Sequence, residues 1–187
     1  MRVIVATEHR FYRTPDGRVY SATHGRQYGF WERYLSVFDE VLVVARGKSV
    51  KIIPQFLKRA DGERVKFHPL PDFTGLTGIL KAFPSLWKCM QQIAKEKEAF
   101  ILRVPGAIGT LLYWAVKKEG KPFAVEVVGD PWDVFSPGSY RSIARPLIQW
   151  LSAHCLKAQC KEAVAAAYVT KNALQRRYPP GGWSTYY

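Results

Sequence analysis

Short β-branched runs alternate along this chain with stretches whose apolar positions recur every three or four residues. Arg2–Ala6, Val41–Ala45, Val65–Leu70, Phe100–Val104, Phe123–Val128 and Ala166–Thr170 are compact and nearly all apolar. Parallel strands buried on both faces have that composition. Between them the spacing predicts helices. One covers about 28–38, with Phe30, Tyr34, Leu35 and Phe38 on a face. A second runs from about Gly78 or Pro84 to Glu98, placing Phe83, Leu86, Trp87, Met90, Ile93 and Ala94 inward and Lys81, Lys88 and Lys95 outward; Pro84 starts or kinks it. Others cover 108–118, about 140–163 with a core stripe of Ile143, Leu147, Leu151, Cys155 and Ala158, and 171–178. Strands alternating with helices imply right-handed crossovers, and so an α/β fold: a three-layer, Rossmann-like, doubly wound parallel sheet.

The remainder reads as loops. Thr7–Gln27 is a polar insert containing the turn Pro15-Asp16-Gly17, where Pro presets one backbone angle and Gly admits positive φ. Residues 48–62 form an excursion and 72–78 a loop. Pro179-Pro180-Gly181-Gly182 ends the pattern. At 187 residues, 48% of them hydrophobic, the chain holds the core of one domain. We place that domain at 1–178 and the start of an interdomain linker at 179–187. No run has the ~18 consecutive apolar residues of a membrane span, and the N-terminus enters a strand at once. A soluble, cytoplasmic protein is expected. Cys89, Cys155 and Cys160 form no C-x-x-C pair and are odd in number, so they are read as buried small residues in a reducing compartment.

Charge changes the picture. Twenty-eight Lys and Arg against 15 Asp and Glu give +13, spread along the chain. Such a field attracts nucleic acid, an anionic membrane surface or phosphorylated small molecules. No RNP, KH, zinc-finger or helix-turn-helix signature accompanies it, so nucleic acid is not expected as a partner.

Candidate chemistry gathers where apolar runs break into Gly, Pro and charge, because ligands of open parallel sheets bind at the carboxyl ends of strands. Two such breaks are Arg103-Val-Pro-Gly106 and Glu126-Val-Val-Gly-Asp-Pro-Trp132. Glu126 lies among valines, where a carboxylate is costly unless paired. It serves either a polar function at the strand end or an ion pair with Arg103, which can itself hold a phosphate or hydroxyl. Asp130 and Trp132 either meet a ligand, Trp by stacking and Asp by accepting from hydroxyls, or form a helix-entry turn with a packed Trp. His24, in the first insert, is a candidate for contact with a ligand hydroxyl. His9, His68 and His154 share no metal-ligand spacing, so no metal is expected. Tyr20, Tyr28 and Trp31 with Arg10, Arg13, Arg18 and Arg26 either dock a ligand at an anionic membrane or form a solvated basic loop.

Several stretches together carry a resemblance: Asp16-Gly-Arg-Val-Tyr20, Phe30-Trp-Glu-Arg-Tyr-Leu35, Phe38-Asp-Glu-Val41, Leu102-Arg-Val-Pro-Gly106, Gly120-Lys-Pro122, Glu126–Asp133 and Tyr168–Leu174. In order and spacing they resemble the N-terminal half of bacterial family-4 glycosyltransferases of GT-B architecture. The resemblance implies one lobe of a GT-B fold that binds mainly the sugar acceptor, and transfer with retention at the anomeric carbon. It also implies a nucleotide-sugar donor bound mainly by a C-terminal domain missing here, with no other cofactor. Acceptor contacts are assigned to Gly17, Arg18, Tyr20, His24, Arg103, Gly106, Glu126, Asp130 and Trp132. Gly129-Asp130-Pro131-Trp132 stands where many relatives place a sugar-contacting His. Thr7-Glu-His-Arg10 stands where a glycine-rich turn is usual, and nothing matches G-x-G-x-x-G. Two alternatives stay open: a non-catalytic, membrane-anchoring partner of a separate donor-binding subunit, and a Rossmann-like nucleotide-binding module.

Overall fold

In a computed structural model, which describes residues 1–22, 26–138 and 143–187, the β-branched runs do pair as parallel strands. The chain divides into two compact units, Met1–Phe100 and Ile101–Tyr187.

The first unit is built on β1 (Arg2–Arg13), β2 (Val19–Ser21), β3 (Glu40–Ser49), β4 (Lys58–Arg59) and β5 (Val65–Leu70). β1 and β5 lie parallel on either side of β3, with Val3 opposite Val41 and Val43 opposite Phe67. Val3, Ile4, Val5 and Ala6 are all fully buried although successive side chains point to opposite faces, so both faces of β1 are covered. β1 is longer than its apolar run. Between Ala6 and Arg10 its register with β3 shifts, and pairing resumes from Arg10 opposite Arg46 to Arg13 opposite Ser49. Half of the expected polar loop is therefore strand. The chain then turns, Thr14 N–H donating to the Arg18 carbonyl at 3.0 Å, with Gly17 at φ +85° as the turn requires. β2 returns antiparallel to β1 and β4 pairs antiparallel to β2.

The helix expected over 28–38 is a 3-10 turn, Tyr28–Trp31, followed by one turn of helix, α1 (Glu32–Leu35). Its purpose is to deliver Trp31 to the core. The indole is fully buried and meets Phe67, Phe11 and Phe30 at ring separations of 5.9, 6.4 and 4.9 Å. Trp31 thus belongs to the interior, which corrects the aromatic and basic surface cluster read from the sequence. Helix α2 (Gly75–Ala94) begins inside the expected loop and runs through Pro84; Leu86, Met90, Ile93 and Ala94 face inward as predicted. Phe83 does not: it is exposed and stacks on Trp87.

The second unit begins within β6 (Ala99–Val104) and carries α3 (Ala107–Lys118), β7 (Ala124–Val127), α4 (Pro131–Val134), α5 (Arg145–Glu162), β8 (Ala165–Tyr168), α6 (Ala173–Arg177) and β9 (Trp183–Tyr186). All four strands are parallel, in the order β6-β7-β8-β9. Residues 183–186, read as linker, are strand: Ala165 faces Trp183 and Tyr168 faces Tyr186. Glycine permits this. A Cβ at Gly181 would lie 1.7 Å from the Lys161 carbonyl oxygen, so only glycine lets the chain pass the end of α5 before joining the sheet.

Helix α5 departs most from its predicted orientation. Ile143, Leu147 and Leu151, expected in the core, are exposed, while Gln149, Leu156, Gln159 and Cys160 are buried. The two glutamines bury because they find partners: Gln149 Nε2 donates to the Trp132 carbonyl at 2.9 Å and Gln159 Nε2 to Thr110 Oγ1 at 3.1 Å. The expected fold class stands: mixed α/β with a mostly parallel sheet. Among the described residues no helix is long and apolar enough to cross a membrane.

Candidate functional site

The second unit concentrates its polar side chains at the carboxyl ends of β6 and β7. Arg103 and Glu126 are register partners on these adjacent strands, so their side chains leave the same face. The Arg103 guanidinium donates to the Glu126 carboxylate, and both side chains are buried, at 4% and 9% exposure. Of the two readings of Glu126, the ion pair is the one seen. A buried pair contributes little net stability, yet removing one partner strands the other charge.

β7 then runs through Gly129 into Asp130, which caps α4. Its Oδ1 accepts from the Trp132 N–H at 3.0 Å and from the Tyr178 hydroxyl at 2.7 Å, while Arg177 donates to Oδ2. Pro131 fits the first helical position, where no N–H is needed. The Asp130 carboxylate is thereby engaged on both oxygens by its own unit. Burial, and secondarily the hydrogen bond to Asp130, raise the pKa of the Tyr178 phenol far above its ordinary value, so it stays a donor. Trp132 is held at both backbone groups, by the Asp130 cap and by Gln149, but its side chain is 46% exposed. The result is an indole on a fixed backbone, presented to solvent just beyond a strand end. Gly106 caps α3 after β6 in extended conformation, its carbonyl accepting from Thr110 N–H at 3.0 Å.

Arg103, Gly106, Glu126, Asp130 and Trp132 thus gather at one end of the second unit's sheet. Gly17, Arg18 and Tyr20 lie on the hairpin of the first unit: Arg18 is exposed and pairs with Asp16 at 3.1 Å, and half-buried Tyr20 stands opposite Tyr12. His24 falls outside the described residues.

Sequence reading passed over His9. It lies in the irregular segment of β1 between Ala6 and Arg10, where a bulge re-aims side chains. Its Nε2 is 2.9 Å from Oγ of the buried Ser21. Burial first, then the charges of Arg26 and Arg46, lower its pKa from 6.5 to about 4, so the ring is neutral near pH 7. Arg46 donates to the carbonyls of Phe73, at 3.1 Å, and Glu8; Arg10 pairs with Asp72 at 2.7 Å and reaches Thr74 Oγ1 at 2.7 Å. The signal lay in Thr7-Glu8-His9-Arg10, a polar run directly after a buried strand. Among the described residues no three His, Cys, Asp or Glu side chains converge as metal ligands.

No protein-family model matches the chain. The chain is similar to Protein CapJ of Staphylococcus aureus. The two are 28% identical over 158 residues, which is 84% of this chain and 40% of CapJ, so the chain spans about two-fifths of that relative's length. Among solved structures, a UGT transferase from Siraitia grosvenorii in complex with UDP aligns with a TM-score of 0.49 and 11% identity, covering 95% of this chain and 47% of that one.

Proposed function

We propose that this chain is the acceptor-binding lobe of a retaining, hexosyl-type glycosyltransferase that moves a sugar from a nucleotide-sugar donor to a polysaccharide or glycolipid acceptor. The observation that carries the reading is Trp132: an exposed aromatic ring on a backbone anchored from both sides, at a strand end where open parallel sheets take their ligands. Sugar rings present C–H faces that stack on such an indole, and a backbone anchored beforehand lowers the entropy that the protein itself loses in orienting the acceptor. The resemblance of Leu102–Gly106 and Glu126–Asp133 to family-4 glycosyltransferases falls on these same strand ends.

The Arg103–Glu126 pair and the Asp130 network then act as supports that fix the loops, while Trp132 makes the contact. Donor binding belongs mainly to a second lobe, in keeping with the share of CapJ that this chain spans. In a retaining transfer the leaving phosphate takes the acceptor proton, so this lobe supplies orientation and no general base. His9, with a pKa near 4, is too weakly basic near pH 7 for that role in any case.

The test uses the full-length protein with a panel of nucleotide sugars. Trp132→Ala is expected to lower transfer by roughly two- to tenfold, with donor affinity unchanged and Trp132→Phe retaining most activity, the size expected when one stacking contact is lost. Full activity in Trp132→Ala, or tight nucleotide binding by residues 1–187 alone, overturns the proposal.

A further inference from the structure

Helix α5 buries polar side chains and leaves apolar ones in solvent. Both of its glutamines face the interior, each with a named partner, and although Leu156 and Cys160 are buried beside them, Leu147, Trp150 and Leu151 face solvent. Leu147, Trp150 and Leu151 are 59%, 55% and 50% exposed, and Ile143, just before the helix, is wholly exposed. Because Gln149 and Gln159 are tied to Trp132 and Thr110, the helix cannot roll to bury this stripe without breaking both bonds.

The stripe continues with exposed His154, stacked on Trp150 at 5.5 Å, and then exposed Lys157 and Lys161. Spacings of three and four residues keep all of these on one side of the helix. From Ile143 to Lys161 the sequence has no Asp or Glu. One face therefore runs from apolar and aromatic to cationic, on a chain whose formal net charge is +13.

We propose that this face of α5 docks on an anionic phospholipid bilayer, lying in the interface plane. Leu147 and Leu151 enter the acyl boundary, Trp150 sits at headgroup level, and Lys157 and Lys161 meet lipid phosphates. Charge decides the occupant. A second copy would bring one +13 chain against another and leave the lysine end without an anionic partner, whereas an anionic bilayer satisfies both halves of the stripe. This surface replaces the first unit's aromatic cluster, whose Trp31 is buried. The proposal stands apart from the sugar-transfer reading, since a water-soluble acceptor would still be used without it.

The experiment is co-sedimentation of the full-length protein with phosphatidylcholine vesicles, with and without phosphatidylglycerol. Binding to the anionic vesicles is expected. It should fall at least about tenfold for Leu147→Glu with Leu151→Glu, and fall separately for Lys157→Glu with Lys161→Glu, since apolar area and lipid charge both contribute. All four positions are exposed, and an unchanged thermal unfolding midpoint verifies that each variant is folded. No vesicle binding by the wild-type protein, or equal binding by folded variants, overturns the proposal. A dimer in light scattering that Leu147→Glu disperses, without vesicle binding, also overturns it and assigns the face to a second copy.

Discussion

The two units solve the same problem, polar side chains at the carboxyl ends of buried parallel strands, in opposite ways. In the second unit the carboxylates are buried and answered from within: Glu126 by the buried Arg103, and Asp130 by Tyr178, the Trp132 amide and Arg177, whose own side chain is 55% exposed. Beside them the Trp132 ring stands open to solvent. In the first unit the groups are half-buried and rich in cations. The Arg10 and Arg46 side chains are 32% and 20% exposed, and beside them a histidine is held neutral. A closed network is rigid and offers shape, while a half-open, cationic one offers charge and hydrogen bonds. The contrast teaches that a charged residue at a strand end is not by itself a ligand contact; its own neighbours decide.

The largest test of that contrast is Glu126→Ala. Removing one member of a buried pair takes a carboxylate away from the buried Arg103 guanidinium, and the expected cost is about 3–5 kcal/mol, or a fall in Tm of roughly 6–20 °C for a chain of this size. Replacing both residues by methionine is expected to recover most of the loss, because no charge is then stranded. Denaturant unfolding of the single and double variants measures it. A single variant as stable as wild type would mean that the pair does not support the fold, and would turn Glu126 back into a candidate substrate contact.

Next in size is the Asp130 node. Asp130→Ala removes the α4 cap and the acceptor for the buried Tyr178 hydroxyl, so a cost of about 2–4 kcal/mol is expected, whereas Tyr178→Phe, which deletes a single hydrogen bond, costs about 1–2 kcal/mol. If Asp130→Ala leaves the unfolding midpoint in place while abolishing transfer, Asp130 is a contact residue and the second unit is as open as the first.

The same contrast accounts for what the sequence discloses. The strands were legible because Val3–Ala6 and Val41–Ala45 are covered on both faces, and full burial leaves an unbroken apolar run. Arg103 and Glu126 were legible as a possible pair because parallel neighbours of similar length align their polar residues. The second half of β1 was not. His9, Arg10, Tyr12 and Arg13 lie at a partly solvated margin, and their polarity reads as loop. Nor was the orientation of α5 legible. Periodicity locates a stripe, but which stripe is buried depended on Gln149 meeting Trp132 and Gln159 meeting Thr110, residues far away along the chain. The Asp130–Tyr178 bond, spanning 48 positions, is hidden for the same reason.

The smallest effect concerns the open network and is carried by pH. Folding lowers the pKa of His9 from 6.5 to about 4, through burial and the nearby Arg26 and Arg46. Between those values the unfolded chain takes up a proton that the folded chain refuses. The contribution of His9 is therefore fully present above about pH 6.5, declines as the pH falls toward 4, and levels off below that. At about 1.4 kcal/mol per pH unit, discounted because the ring is partly solvated, the loss is about 1–2 kcal/mol. His9→Gln keeps a side chain able to reach Ser21 but removes the titration. The stability difference between wild type and variant, from urea unfolding, should shift toward the variant as pH drops through this window. Parallel pH profiles would show that His9 titrates as it does in water, so that neither its burial nor the nearby arginines of the first unit act on it.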